Sequence, residues 1–168
     1  MTGVDPEKDV ILEIATVVTD DNLSVVAEGP NLAIHQPEEA LSAMDQWPKT
    51  HHKASGLVDR VKASPYDCKG AEQATLESLY AHCRTGDSPL CGNSVWQDRR
   101  FLEKYMPSLN EFLHYRNVDV SSIKELVKRW YPTLPLFKKQ ESHLALIDIR
   151  ESIAELKYYR QKVFLPKG

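Results

Sequence analysis

The feature that most constrains the fold is a run of β-branched and apolar residues near the start of the chain. Residues 10–19, VILEIATVVT, are rich in valine, isoleucine and threonine, which are favoured in β-strands. The turn-forming triplet Asp20-Asp21-Asn22 follows at once, and apolar segments return at residues 23–27 and 32–35. The pattern predicts that the chain opens on a β-hairpin.

Helices alternating with short buried strands are predicted after the hairpin. The last helix is expected to pack through Ile149, Ile153 and Leu156, and Ser121 or Ser122 to cap the helix before it. This order of elements is typical of an α/β protein with a mixed sheet. Apolar spacing predicts helices at residues 38–44, 54–61, 71–83, 97–105 (ended by Pro107), 123–130 and 143–163, and strands at residues 89–95 and 118–120.

Composition limits the class of protein. The 168 residues are 42% hydrophobic and 27% charged, which indicates one globular domain over residues 1–168. A net charge of -3 argues against a protein that coats nucleic acid through a broad basic face. Three cysteines without a CxxC pair indicate neither a disulfide framework nor a zinc site, and favour a reducing, cytoplasmic compartment. No apolar run is long enough to predict a membrane span.

The most informative motif is GNSVWQD at residues 92–98. It places Asn93 and Ser94 at the end of a predicted strand and Asp98 in the first turn of the next helix. Open α/β sheets carry their sites at the carboxyl ends of strands, so these side chains are candidates for a site. The alternative is that Asp98 simply stabilises the helix N-terminus.

A second motif, His143 followed five residues later by Asp148, lies at the start of the last predicted helix. An imidazole near a carboxylate suits a general base beside a metal ion, because histidine takes up a proton near neutral pH. By itself the spacing is a weak signal, and a capping histidine with a solvent-facing aspartate is its usual explanation.

Longer matches extend along the whole chain in a fixed order. We find LAIHQPEEAL, AMDQW, HHKASGLVDRVKAS, PLCGNSVWQDRRFLEKYMP, FLHYRNVDVSSIKEL and HLALIDIRESIAELKYYR. On these segments the chain resembles the oligoribonucleases, small 3′-to-5′ exonucleases of the DEDDh group. The resemblance implies an RNase H-like mixed β-sheet flanked by helices, a homodimer, and degradation of very short single-stranded RNA to mononucleotides.

The resemblance also assigns the chemistry. In that family two divalent cations lie between four carboxylates and a histidine, and oxygen ligands of this kind favour Mg²⁺ or Mn²⁺. Asp98 and Asp148 match two of the metal-binding carboxylates. His143 matches the general base.

Substrate contacts follow from the same resemblance. The matching residues are Trp47 and Tyr115 for base stacking, Val4 for an apolar wedge between bases, and His52, Ser94, Arg116 and Ser121 for phosphate or terminal groups. A residue matching Tyr115 reaches the neighbouring site in the family's dimers. Without the resemblance, Trp47 and Tyr115 would be core or interface aromatics, and Arg116 a surface charge.

The chain departs from the family at its start. The family's D-x-E motif precedes the Met-Thr-Gly that forms residues 1–3 here, so we expect the first, central strand to be missing through a misassigned start codon or an engineered truncation. Asp5 and Glu7 share the D-x-E spacing but are expected in a solvated turn, and Glu13 is expected to be paired or edge-facing rather than a replacement ligand. Two functions therefore stay open: a metal-dependent exoribonuclease, or an inactive module for short-oligonucleotide binding or dimerisation.

Overall fold

The computed structural model describes residues 1–139 and 144–165. His143, the predicted general base, lies outside the described residues. The described strands are β1 (Glu13–Thr19), β2 (Val25–Ala33), β3 (Pro89–Gly92) and β4 (His114–Asp119), and the helices are α1 (Glu38–Ser42), α2 (Gln46–Ala54), α3 (Leu57–Ala63), α4 (Cys68–Tyr80), α5 (Val95–Tyr105), α6 (Pro107–Phe112), α7 (Val120–Trp130) and α8 (Ala145–Val163).

The predicted hairpin is confirmed as the antiparallel pair of β1 and β2. Its turn is closed by Asp20, whose Oδ1 accepts the N–H groups of Asn22 at 2.9 Å and Ser24 at 2.8 Å. Strand β1 begins at Glu13 rather than at residue 10, and β2 is continuous where two shorter segments were predicted. The Asp20 side chain therefore closes the turn that the sequence pattern predicted.

Strands β3 and β4 form a parallel pair in which Gly92 lies opposite Asp119. Helices α5 and α6 connect the two strands, as parallel pairing requires a crossover. The fold is therefore mixed α/β, with antiparallel and parallel pairing as predicted for the RNase H-like class. In the described part of the chain the strands form two separate pairs rather than one continuous sheet.

The main core lies between the hairpin and helices α4, α5 and α6. This core buries Ile34, which directly follows β2, and Phe101 of α5. Met106 and Phe112, at the two ends of α6, are buried in the same core. A separate cluster packs α7 against α8 around Tyr159. The contacts of the main core pack the C-terminal half of α5 with α4 and α6.

Two helices were not predicted. Helix α2 has no apolar repeat and carries Pro48 in its first turn, where proline is tolerated because the N–H groups have no intrahelical partner. Helix α6 begins at Pro107, which was expected only to end the preceding helix. Helix α2 was therefore missed for lack of an apolar repeat, and α6 because its first residue is a proline.

The two predicted details of the last helices are corrected by the structure. Asp119, not Ser121 or Ser122, caps α7 by accepting the Ser121 N–H. On α8 the buried residues are Ser152, Glu155 and Tyr159, while the predicted apolar stripe is only half-buried. A polar stripe faces inward because it belongs to a hydrogen-bonded network described below.

No helix in residues 1–139 and 144–165 combines the length and the apolar character needed to cross a bilayer.

Candidate active site

Two of the predicted substrate-contacting serines lie together at the carboxyl ends of β3 and β4. Ser94 follows β3, Ser121 is in the first turn of α7 after β4, and their Oγ atoms are 3.2 Å apart. Asp119 joins them, because its Oδ1 accepts the Ser94 N–H at 3.0 Å and the Ser121 N–H at 2.8 Å. The carboxyl ends of the two parallel strands thus bring these polar groups together.

Ser94 has a left-handed backbone, with φ +53°. A non-glycine residue in this region is strained by an energy on the order of 1 kcal/mol, and it persists only where its surroundings hold it. Asp119 holds its N–H from the β4 side, and Ser94 in turn occupies the N-cap position of α5. The geometry of the serine pair thus depends on the contacts around it.

An open cleft of about 420 Å³ lies beside the serine pair. Trp96 forms part of its wall with 56% of its surface exposed, and the Arg100 guanidinium lies 5.9 Å from the Trp96 ring centroid. Sequence reasoning missed Trp96 as a site residue, although it lies within the GNSVWQD motif. The cleft is lined by Ser94, Trp96, Asp119, Ser121, Ser122, Glu125 and Leu126.

Asp98 is half-buried in the first turn of α5. Burial raises the pKa of Asp98 to about 6, although its own backbone N–H and the α-amino group of Met1 act in the opposite direction. Among the described residues, no lysine or arginine lies within ion-pair distance of its carboxylate. A desolvated carboxylate without a basic side chain is a site that a cation would stabilise.

The first residues of the chain connect Asp98 with two further predicted residues. The backbone carbonyl of Val4 accepts hydrogen bonds from Gln97 and Arg100, which flank Asp98 on α5. The Nε2 atom of the buried His52 lies 3.0 Å from the carbonyl oxygen of Met1. Val4 thus contacts the first two turns of α5, and His52 contacts Met1, whose α-amino group acts on Asp98.

Trp47 and Tyr115 are both exposed rather than buried in a core, with 59% and 76% of their surfaces accessible. The Trp47 ring stacks on His51 at 4.1 Å, and the Tyr115 ring stacks on His114 at 4.5 Å. The Arg116 guanidinium lies 5.3 Å from the Tyr115 ring. Both aromatic side chains therefore offer faces to solvent.

Tyr115 and Arg116 do not share the cleft of the serine pair within one chain. They lie at the start of β4, whereas Asp119 lies at its end, about 10–13 Å away along the strand. Arg99, which sequence reasoning missed, holds this strand: its Nη2 donates to the His114 carbonyl at 2.7 Å and to Asn117 Oδ1 at 2.9 Å. The start of β4 is thus a separate, firmly held surface.

Asp148 is exposed in the first turn of α8. The helix start is fixed by Glu13, whose Oε2 accepts the Ala145 N–H at 2.9 Å and whose Oε1 accepts from Arg60 at 2.7 Å. Glu13 is therefore paired, as predicted. Asp5 and Glu7 lie in a turn in which Asp5 Oδ1 accepts the Glu7 N–H at 3.1 Å, again as predicted.

Comparison with known proteins gives these residues their context. A family model described as exonuclease matches residues 1–156. An oligoribonuclease of Shewanella loihica is 58% identical over 165 residues, which is 98% of this chain and 91% of that protein. Oligoribonucleases of Yersinia enterocolitica and Alcanivorax borkumensis are each 59% identical over 162 residues, covering 96% of this chain and 90% of theirs.

A strand-end polar site on an α/β fold, together with the family match over residues 1–156, defines the class as the exonucleases with an RNase H-like domain. Within that class the chain belongs to the oligoribonuclease family.

Membership of this family implies dependence on divalent cations, and such cations need several oxygen donors from the protein. The surroundings of Asp98 fit a cation ligand. However, residues 1–139 and 144–165 contain no group of three or more histidine, cysteine, aspartate or glutamate side chains placed to hold a metal ion. The described residues therefore do not by themselves complete a metal site.

Proposed function

We propose that this chain is a 3′-to-5′ exoribonuclease, folded as one domain over residues 1–168, that hydrolyses very short oligoribonucleotides to mononucleotides. The observation that carries the proposal is the identity of 58% to an oligoribonuclease over 98% of the chain. The second possibility is an inactive module for oligonucleotide binding or dimerisation. It is not favoured, because the relatives of this chain are named for an enzymatic activity.

Substrate recognition is proposed to combine stacking with a few polar contacts. The exposed rings of Trp47 and Tyr115 offer stacking surfaces, and Val4, 71% exposed, is available as an apolar wedge. The polar contacts are assigned to the hydroxyls of Ser94 and Ser121 and to His52 and Arg116. Stacking of this kind tolerates any base, which suits an enzyme acting on RNA of any sequence.

For the reaction we propose Mg²⁺ or Mn²⁺, with Asp98 and Asp148 as two of the ligands and His143 as the general base. Oxygen ligands and the desolvated surroundings of Asp98 support the choice of a hard dication. A thermal-shift titration with each metal measures this without turnover: Mg²⁺ or Mn²⁺ should stabilise the unmodified chain and not the Asp98→Asn or Asp148→Asn form. Equal shifts in all three proteins would remove both carboxylates from the metal site.

We propose a homodimer and a cytoplasmic location. The dimer is supported by the position of Tyr115, which is exposed and lies apart from the serine cleft of its own chain. Tyr115 could therefore contact the site of a second copy. The location is supported by the free thiols of Cys68, Cys83 and Cys91.

The direct test is turnover of a 5′-labelled RNA trinucleotide by the purified chain with Mn²⁺. Removal of nucleotides from the 3′ end should give labelled dinucleotide before labelled mononucleotide, and Asp98→Ala should abolish both products. Binding without turnover would instead support the inactive module. A His143→Ala form that kept the unmodified rate would remove His143 from the mechanism.

A further inference from the structure

Glu155, on the inner face of α8, is the most buried acidic residue in the part of the chain that the structure describes. It is fully buried, yet it is not among the residues that the family resemblance assigns. Its Oε2 accepts from Asn93 at 2.9 Å and lies 3.0 Å from Lys139 Nζ, while its Oε1 accepts from Tyr159 at 3.1 Å. Lys124 Nζ lies 3.7 Å from the same Oε1.

A buried carboxylate is costly unless it is paired and hydrogen-bonded. Burial by itself raises the pKa of Glu155, but the hydrogen bonds from Lys139 and Asn93 outweigh burial and hold the pKa below its ordinary value. Glu155 is therefore charged at neutral pH. Three of its partners lie outside α8: Asn93 after β3, Lys124 on α7, and Lys139. The charge therefore links α8 to the segments that carry these side chains.

The most consequential of these partners is Asn93. Its Nδ2 donates to Glu155, and its Oδ1 accepts from Lys139 Nζ and from Ser152 Oγ, each at 2.6 Å. Its Nδ2 also lies 3.4 Å from Ser121 Oγ. Both ends of the amide are thus occupied, so the side chain has one orientation.

Asn93 directly precedes Ser94, the residue with the strained left-handed backbone. Asp119 accepts the Ser94 N–H, and the hydrogen bonds of the Asn93 side chain fix the residue just before Ser94. The Glu155 carboxylate is thereby linked through the Asn93 amide to Ser121 and to the backbone that carries Ser94.

We propose that Glu155 is a positioning residue for substrate binding: through Asn93 it sets the spacing and direction of the Ser94 and Ser121 hydroxyls. The inference rests on the proposed function, since it takes the serine pair to contact the RNA. Glu155 itself touches no substrate.

The test is a double-mutant cycle on binding of a fluorescent RNA dinucleotide in EDTA, which prevents turnover. Glu155→Gln keeps the shape and removes the charge, and should weaken binding about tenfold. In a chain that already carries Ser94→Ala and Ser121→Ala, the same change should weaken binding less than twofold, because the groups it positions are gone. A general structural defect would weaken both backgrounds equally, and equal losses would overturn the proposal.

Two further variants keep the test decisive. Asn93→Ala breaks the link to Ser94 while leaving Glu155 paired with Lys139, Lys124 and Tyr159, so it should reproduce the loss even if Glu155→Gln folds poorly. Tyr159→Phe, the matched control, removes one donor on the far oxygen of Glu155 and should leave binding within twofold. Unchanged binding by Asn93→Ala overturns the inference alone, whereas the proposed function is overturned separately, by a lack of trinucleotide turnover with Mn²⁺.

Discussion

The carboxylate of Glu13 accepts the backbone N–H of Ala145 at 2.9 Å, so a strand of the hairpin caps the N-terminus of helix α8. The same carboxylate is 4% exposed and pairs with Arg60 at 2.7 Å. The first turn of α8 carries Asp148, and the cap therefore sets where that carboxylate stands relative to the hairpin.

Glu13→Ala should lower the free energy of unfolding by about 1–3 kcal/mol, because it leaves a helix N–H without its acceptor and Arg60 without its partner. Urea denaturation at neutral pH measures the loss. Glu28→Ala is the matched control, since Glu28 forms an exposed pair with Arg150 and should cost less than about 1 kcal/mol. Equal losses in the two variants would contradict the capping role.

Glu72→Ala should destabilise the chain by about 1–3 kcal/mol. Glu72 is buried on α4, and its Oε1 accepts the Leu109 N–H at 2.9 Å in the first turn of α6. Thermal unfolding should show the loss, while Glu77→Ala, an exposed change on the same helix, should leave the Tm almost unchanged. If Glu72→Gln restores most of the Tm, the acceptor rather than the charge is what α6 needs.

Thr16→Val should stabilise the chain by about 1 kcal/mol. The Thr16 Oγ1 atom is buried and has no hydrogen-bond partner among the described residues, and valine has nearly the same shape without the hydroxyl. Thr16→Ser, which keeps the hydroxyl and loses the methyl group, should be destabilising. A loss of stability in the valine form would show that the hydroxyl is satisfied in solution.

Asp98→Asn should raise the Tm at pH 7.5 in EDTA. The pKa of Asp98 is about 6 in the folded chain against an ordinary 3.8, so its stabilising contribution is present at low pH and is lost as the pH rises through 6. At pH 7.5 the charged form costs about 1–3 kcal/mol, and asparagine avoids that cost. The gain should vanish near pH 3.5, while Asp59→Asn, an exposed change, should give no gain at either pH.

Trp47→Ala should weaken RNA dinucleotide binding about tenfold, as expected for the loss of one base-stacking contact. Fluorescence anisotropy in EDTA measures it. Phe164→Ala, which also removes an exposed aromatic ring, is the control and should bind normally. A normal affinity for the Trp47 variant would exclude this ring from the binding surface.

Local signals explain which parts of the fold were predictable. The hairpin follows from β-branched residues and the Asp20 turn, whereas the contact of Ser94 with Ser121 depends on the pairing of β3 with β4. Helix α2 was missed because its sequence has no apolar repeat. The separation of the strands into two pairs depends on long-range packing that no local pattern encodes.

Sequence motifs suggested candidate site residues, but their surroundings are visible only in the structure. The motif made Asp98 a candidate, and its desolvation appears only in three dimensions. Glu155 could not be identified, because a glutamate on a charged helix is normally solvent-facing. Asp119 was likewise missed as the cap of α7, since two serines with capping chemistry follow it closely.

The network around Glu155 has a consequence for the order of folding. It joins residues as far apart as Asn93 and Glu155, whereas the hairpin turn joins neighbours, and contacts between distant residues form more slowly. During synthesis at about 5–20 residues per second, the hairpin would leave the ribosome on the order of ten seconds before α8. The serine pair therefore reaches its final geometry only after translation has delivered the last helix, so substrate binding is a property of the finished chain.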